Sequence, residues 1–341
     1  MDLVQPGDKW HGILAPMRVW HGLDEVDSGF GPSVVTIGNF DGVHRGHQEV
    51  LAHARARAAE LGGLPVVAMT FDPHPMAVLR PGHAPAMISE PGRRAELLGA
   101  AGADAVLILP FDKETAAWSP QEFIDRVLVG TLHAKAVVVG ENFRFGHKAA
   151  GHVDTLVEAG AAAGFEVEGL TLAGDTQPWS STYIRQLIAE GDVEGAAAAL
   201  GRPLQVTGTV IEGDKRGREL GYPTANIPAE AGAAVPLDGV YAGWLTVLEP
   251  APGAPQYGEP LPAAISVGSN PTFDGVDRRV ESYVLDRDDL ELYGAKISVD
   301  FVARLRGSQI RFDTIDDLLV QMKADVDGAR RLLTGDSLAD S

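Results

Sequence analysis

The 341-residue sequence predicts an α/β chain of two domains, an N-terminal doubly wound parallel sheet and a C-terminal small antiparallel β-barrel with a terminal helix. Three observations carry this expectation. Short unbroken apolar runs alternate with segments of helical spacing through the first half. After a break at Gly201, Arg202 and Pro203 the texture turns β-rich and is punctuated by turn residues. One apolar stripe at helical spacing then ends the chain.

Residues 34–37, 66–71, 105–109 and 136–139 are apolar runs of the kind found when helices cover both faces of a parallel sheet. Between them Val50, Leu51, Ala54, Ala58 and Leu61, and later Phe123, Val127 and Leu128, recur at helical spacing. This alternation implies a doubly wound sheet with ligands at the carboxyl ends of its strands. Helical patterns return at 182–190 and 193–200, ahead of the break. Beyond it, residues 204–212, 239–248, 261–267, 280–286 and 297–305 are β-rich, which predicts the barrel, and the Pro- and Gly-rich residues 249–260 predict a loop. Ile315, Leu318, Leu319, Met322, Val326, Ala329 and Leu333 share one helical face. The expected domains are 31–195 and 203–335, with residues 1–30 as an N-terminal extension and the boundary within 190–203.

Hydrophobic residues make up 45% and charged residues 22%, as in chains with packed cores. There is no cysteine, which excludes disulfides, thiolate metal sites and a cysteine nucleophile. No apolar stretch reaches the length of a membrane span, and the N-terminus lacks a basic stretch followed by an apolar run. Neither a membrane partner nor a signal peptide is therefore expected, and the expected location is cytoplasmic. The formal net charge of −19 argues against nucleic acid as a partner. It also requires any polyanionic ligand to meet local cations and backbone N–H groups, because the overall field is unfavourable.

Residues 34–51 read VVTIGNFDGVHRGHQEVL: a buried strand, a glycine turn and a helix start. Gly38 and Gly42 let the backbone approach a ligand, and helix N-terminal N–H groups suit phosphate oxygens. His44 and His47, three apart around Gly46, sit in the first helical turn, where two imidazoles can donate to a phosphate whose charge is reorganising. In isolation such a pair reads as two solvated histidines; the strand–turn–helix setting favours chemistry. Pro73 and Pro75 stiffen FDPHP at 71–75, a segment that reads equally as an ordinary strand-ending turn. In GENFRFG at 140–146, Asn142 offers an amide beside Phe143 and Phe145, although such aromatics also build cores. Ser181 and Thr182 open a helix with Arg185 one turn on, which fits a pyrophosphate clamp or simply a capped surface helix.

In this order the four segments resemble the FMN adenylyltransferase module of prokaryotic bifunctional riboflavin kinase/FMN adenylyltransferases (FAD synthetases). The HxGH signature of nucleotidylyltransferases stands in the longer form GxFDGxHxGH. The resemblance implies a Rossmann-like nucleotidylyltransferase domain in which His44 and His47 contact ATP phosphates and Gly38, Phe40 and Asp41 belong to the nucleotide-binding turn. It implies further that Ser181, Thr182 and Arg185 hold the β- and γ-groups, with Arg185 among the catalytic residues, and that Pro73, Pro75, Asn142 and Phe143 lie on the flavin side. The implied reaction is attack of the FMN phosphate on the α-phosphorus of ATP, driven by positioning and charge stabilisation. Asp41 either orients the histidine turn or caps it. Trp179 departs from the family pattern, which has an aliphatic residue there; this bears on packing more than on chemistry.

Residues 208–227 read GTVIEGDKRGRELGYPTANI. Gly213, Gly217 and Gly221 stand among the cations Lys215, Arg216 and Arg218 in a loop that can wrap phosphates, but the spacing is not that of a Walker loop and a solvated turn reads as well. Thr224 and Asn226 lie two apart, on one face if extended, and are hard oxygen donors suited to Mg²⁺. The segment resembles the riboflavin kinase module with its PTAN motif, and the match continues through DGVY at 238–241, VGSNPTF at 267–273 and VESY at 280–283. The resemblance implies nucleotide contacts from Gly213, Lys215, Gly221, Thr224 and Asn226, metal contacts from Thr224 and Asn226, and Asn270 on the flavin side. Glu281, by position a residue on a wet strand face, takes by resemblance the role of base for the riboflavin 5′-hydroxyl. The implied partners are ATP, riboflavin, FMN and FAD, with Mg²⁺ as cofactor.

Other readings remain at this point. HxGH reads nucleotide phosphates and not the second substrate, so a transferase for another phosphorylated alcohol stays open, although the PTAN-bearing barrel argues against it. A flavin-binding regulator without catalysis has no need of Glu281. A nucleic-acid module conflicts with the acidity and with the lack of an aromatic–basic patch.

Overall fold

A computed structural model describes residues 17–171, 179–212, 220–230, 232–272, 275–307 and 314–335. The chain forms two compact units that divide between Ser181 and Thr182, ahead of the 190–203 break in the sequence pattern. Among the described residues no helix is long and apolar enough to cross a membrane.

In the N-terminal unit the strands β1 (Arg18–Trp20), β2 (Ser33–Ile37), β3 (Val66–Asp72), β4 (Ala105–Pro110), β5 (Ala134–Gly140) and β6 (Glu166–Leu170) form one parallel sheet in the order β1-β4-β3-β2-β5-β6. The chain leaves β2 toward β3 and β4, then returns to β5 on the other side of β2. The order therefore reverses there, and the carboxyl ends of β2 and β5 flank the crevice where doubly wound sheets bind ligands. The helices are α1 (Arg45–Glu60), α2 (Pro75–Leu79), α3 (Pro91–Ala100), α4 (Pro120–Phe123, continued by a π-helical stretch Ile124–Val129) and α5 (Val153–Ala163).

Coverage on both faces explains the unbroken apolar runs. Val35, Ile37, Val67, Met69, Leu107 and Val137 join one core with Phe123, Val127 and Leu128. Alternate residues, Val34, Val66, Ala68, Val106 and Val138, join a second core with Val50, Leu51 and Ala54 of α1 and Leu97 and Leu98 of α3. Two edge strands lie outside the sequence expectation. Strand β1, inside the stretch read as an extension, sets Arg18, Val19 and Trp20 against Ala105, Val106 and Leu107. Strand β6 borders β5 with its glutamates exposed.

The C-terminal unit starts with α6 (Ser181–Glu190, from Thr182 onward) and α7 (Val193–Leu200). Its strands β7 (Leu204–Thr209), β8 (Thr224–Pro228), β9 (Gly239–Glu249), β10 (Leu261–Thr272), β11 (Gly275–Val284) and β12 (Lys296–Gly307) pair antiparallel in the order β7-β12-β9-β10-β11-β8. Just past β7, Ile211 N donates to Asn226 O of β8 at 2.9 Å, an isolated bridge that brings the two edges together and curls the sheet into a small barrel. The terminal helix α8 (Ile315–Thr334) packs Val326, Ala329 and Leu333 on Ala242, Ala264 and Leu285. The expected stripe is only partly used, since Ile315 at its start is 65% exposed. Arg304 on β12 secures α6 and α7: its Nη1 donates to Glu190 O at 3.1 Å and its N to Glu194 Oε1 at 3.2 Å. Leu237 N adds a bond to Ile188 O at 3.1 Å.

Candidate active sites

The turn from β2 to α1 carries the two histidines. Its backbone takes left-handed values at Phe40 (φ 48°), Gly42 (φ 80°) and Val43 (φ 40°). For phenylalanine and β-branched valine this costs on the order of 1–3 kcal/mol each and persists only where the surroundings over-determine it. Here they do. Thr70 Oγ1 donates to Asn39 O at 2.9 Å, Gly42 N to Ser89 Oγ at 3.0 Å, and Ser181 Oγ to Asp41 O at 2.9 Å. Gly38 has a local reason to lack a side chain, because a Cβ there would stand 3.2 Å from the Phe40 ring.

His44 is the N-cap of α1, and its Nδ1 accepts a long 3.4 Å bond from His47 N. With Nδ1 accepting, the ring of His44 presents its N–H at Nε2. The two rings stack with centroids 3.6 Å apart, and Phe40 meets His47 edge-on at 5.1 Å. Burial first, then the charges of His44 and Arg94, hold the pKa of His47 well below the ordinary 6.5, so its ring is neutral at pH 7. Two imidazoles at a helix N-terminus add N–H donors to a site already suited to anions.

The side chains of Asp41 and Phe40 do not serve the open side of this turn. The Asp41 carboxylate is 0% exposed and accepts from Ile88 N at 3.0 and 3.1 Å, Ser89 N at 3.0 Å and Ser89 Oγ at 3.3 Å. Phe40 is 2% exposed. Neither side chain is open to a ligand there, so the part in nucleotide binding expected of them would fall to their backbone. The sequence reading missed Ser89 and Arg94. Arg94, on α3, is also 2% exposed, and its guanidinium donates to Thr70 Oγ1 at 3.2 Å, Phe71 O at 3.1 Å and Ser89 O at 3.3 Å. The available signal was a cation on an apolar helix face, with Leu97 and Leu98 three and four residues on.

The remaining motif residues follow the neighbouring strands. Pro73 is exposed just after β3, and Pro75 opens α2, where His74 Nδ1 accepts from Met76 N at 3.1 Å. Beyond β5, Asn142 is exposed and half-buried Phe143 stacks on Phe145 at 5.5 Å. Phe145 is a core residue with Phe143 packed against it, so the core reading holds for the first and only in part for the second. Thr182 is exposed and Arg185 half-buried on α6. The Arg45 guanidinium, in the middle of HxGH, lies 5.6 Å from the centre of the Trp179 ring.

In the second unit strand register does the assembling. Pairing of β8 with β11 sets Thr224 opposite Tyr283 and Asn226 opposite Glu281, and pairing of β10 with β11 sets Ser266 on the other side of Glu281. Opposite residues share a face with Cβ atoms about 4.5–5.5 Å apart, so Thr224, Asn226 and Glu281 converge there. Asn226 Nδ2 donates to Thr224 Oγ1 and Thr224 O, each at 3.2 Å, which leaves Oδ1 as its acceptor. Among the described residues no group of three or more His, Cys, Asp or Glu is arranged to hold a metal. A divalent cation at this face would rely on hydroxyl, amide and phosphate oxygens, a donor set that fits Mg²⁺. Glu281 is half-buried between its neighbours and does not stand on a fully wet face. Gly221 (φ 85°) precedes β8. Gly213 and Lys215 lie outside the described residues, as does the side chain of Asn270, whose backbone pairs with Asp277.

The FAD synthetase family model matches residues 28–183, and the riboflavin kinase model matches residues 200–333. Proteins named bifunctional riboflavin kinase/FMN adenylyltransferase are similar along most of their length. The one from Pseudomonas fluorescens is 37% identical over 318 residues, 93% of this chain and 98% of that protein. Its Escherichia coli K12 counterpart is 36% identical over 294 residues, covering 86% and 90% respectively. A Bacillus subtilis protein of the same name is 35% identical over 306 residues, covering 88% and 92%. A crystal structure of a Streptococcus pneumoniae protein described as a macrolide-efflux protein matches with a TM-score of 0.80 at 32% identity, over 92% of this chain and 98% of that one. That likeness is one of architecture. With two family models, one matching the N-terminal parallel-sheet region and the other the C-terminal barrel, and relatives aligned nearly end to end, the chain belongs to the bifunctional riboflavin kinase/FMN adenylyltransferase family.

Proposed function

We propose that the two sites divide the family's chemistry between them: the barrel phosphorylates riboflavin to FMN, and the parallel-sheet unit adenylylates FMN to FAD with release of pyrophosphate. The observation that carries this reading is the pairing on one chain of an HxGH turn beside the reversal point of a parallel sheet with Thr224, Asn226 and Glu281 on one face of a second sheet. At the barrel, Glu281 accepts the proton of the riboflavin 5′-hydroxyl while that oxygen takes the γ-phosphoryl group of ATP, and ADP leaves. Thr224 and Asn226 hold the nucleotide. Mg²⁺, when bound there, neutralises phosphate charge.

At the parallel sheet an FMN phosphate oxygen attacks the α-phosphorus of ATP. His44 through Nε2, His47, Arg185 and the α1 N–H groups stabilise the charge that moves toward the departing pyrophosphate. Asn142, Phe143, Pro73 and Pro75 lie on the flavin side, following β5 and β3. ATP as co-substrate of both steps goes with a cytoplasmic location. Incubating the purified protein with riboflavin, ATP and Mg²⁺ and separating the flavins by chromatography tests the proposal. FMN and FAD should both form; riboflavin and supplied FMN each left unchanged would overturn it.

A further inference from the structure

Arg94 lies in none of the motif segments, yet its side chain is buried. An arginine taken out of water is costly unless its donors and charge are met. Its Nη1 donates to Thr70 Oγ1 and Phe71 O and its Nη2 to Ser89 O, groups on β3 and on the loop ahead of α3. Two of the three acceptors pass the restraint on to the histidine turn. Thr70 Oγ1 donates in turn to Asn39 O at 2.9 Å. Ser89 gives its N and Oγ to the Asp41 carboxylate and accepts from Gly42 N at 3.0 Å. A buried cation and a buried carboxylate are thus linked through a single serine. The residues they brace, 39–43, are those whose backbone is strained at Phe40 and Val43. A packed apolar side chain in place of Arg94 would fill the space but direct none of these bonds.

We infer that Arg94 is a positioning residue for adenylyl transfer and that Ser89 is its relay, the two together holding residues 39–43 in the strained form that aims His44 and His47 at the nucleotide phosphates. The inference rests on reading this turn as the adenylylation site. A second effect follows from the same placement. The charged groups that act on His47 are His44, from its own helix, and Arg94, from α3, and both oppose its protonation. The carboxylate of the turn, Asp41, is turned toward Ile88 and Ser89.

Three variants test this, Arg94→Met, Arg94→Lys and Ser89→Ala, each assayed in the full chain for FAD from FMN and for FMN from riboflavin. Arg94→Met should lower kcat for FAD formation roughly 100-fold, the scale of a 1 Å misplacement at a reacting centre, and move the acid limb of its pH profile up toward 6.5, with riboflavin phosphorylation intact. Arg94→Lys keeps the charge but cannot fork to three acceptors, so kcat should fall about tenfold with the acid limb unmoved. Ser89→Ala should also cost about tenfold in kcat for the same step. Unaltered kcat and pH profile in Arg94→Met would overturn the inference. So would parallel loss of both activities in that variant, if Arg94→Lys and Ser89→Ala make FAD at the unmodified rate. An unmodified chain that leaves FMN untouched defeats the reading of the turn itself, whereas a chain that makes FAD regardless of these variants defeats the role of Arg94 alone.

Discussion

The two sites face different nucleophiles, and their construction differs accordingly. An FMN phosphate is already anionic and needs no base, and at the histidine turn the Asp41 carboxylate is buried and directed at backbone N–H groups. A riboflavin hydroxyl must lose a proton, and at the barrel Glu281 stands in register with Asn226 and Ser266. The backbones differ too. The first site is a strained turn braced by buried hydrogen bonds; the second is regular strand whose side chains converge because of pairing alone. On the proposed roles, the contrast teaches that a site working through N–H donors depends on irregular backbone and its supports, whereas one working through a carboxylate can sit on ordinary sheet.

Five measurements press on that contrast. The largest effect is expected from Glu281→Gln, which keeps shape and removes the base: FMN formation from riboflavin should fall about 10²–10⁴-fold while FMN is still converted to FAD. Equal loss of both activities would break the division of labour. His47→Ala should do the reverse, lowering FAD formation about 10²–10³-fold so that riboflavin is converted only as far as FMN. Asp41→Ala sharpens the construction argument. It strands the N–H groups of Ile88 and Ser89, and calorimetry should show a stability loss of roughly 1–3 kcal/mol. Breaking the exposed Arg93–Glu96 pair should cost under about 1 kcal/mol.

Stability should also depend on pH. His47 titrates below its unfolded value of 6.5, so the stability from keeping it neutral is fully present above that pH and is lost as the pH falls through the folded pKa. One proton allows a slope of at most about 1.4 kcal/mol per pH unit. Denaturant midpoints at several pH values should show this slope in the unmodified chain and lack it in His47→Gln.

Much of the fold was legible because burial on both faces leaves a plain trace. Strands β2 to β5 are the four apolar runs read from sequence, and the barrel strands β7 and β9 to β12 follow their turn-bounded patterns. Short or wet elements leave no such trace. Strand β1 is three residues long, β6 reads EVEGL, and β8 reads TANIP, a mixed segment that showed only as part of the PTAN motif. The candidate sites divide the same way. His44, His47 and Glu281 came from motif and context. Ser89 and Arg94 did not, because what ties them to the turn is bonds to residues far along the chain, such as Thr70 and Asp41. Nor did spacing show that Asp41 and Phe40 face inward; only the left-handed turn decides that.

Helix α6 has a consequence for how this chain can be taken apart. Its first residue, Ser181, is bonded to the histidine turn, and its last, Glu190, to Arg304 of the barrel. The two family models leave residues 184–199 unclaimed, and most of this helix falls in that gap. Cutting after Leu200 takes from Arg304 its bonds to Glu190 and Glu194, and from Leu237 its bond to Ile188. A kinase fragment cut from this chain should therefore begin ahead of α6 and not after α7 if Arg304 and Leu237 are to keep those bonds.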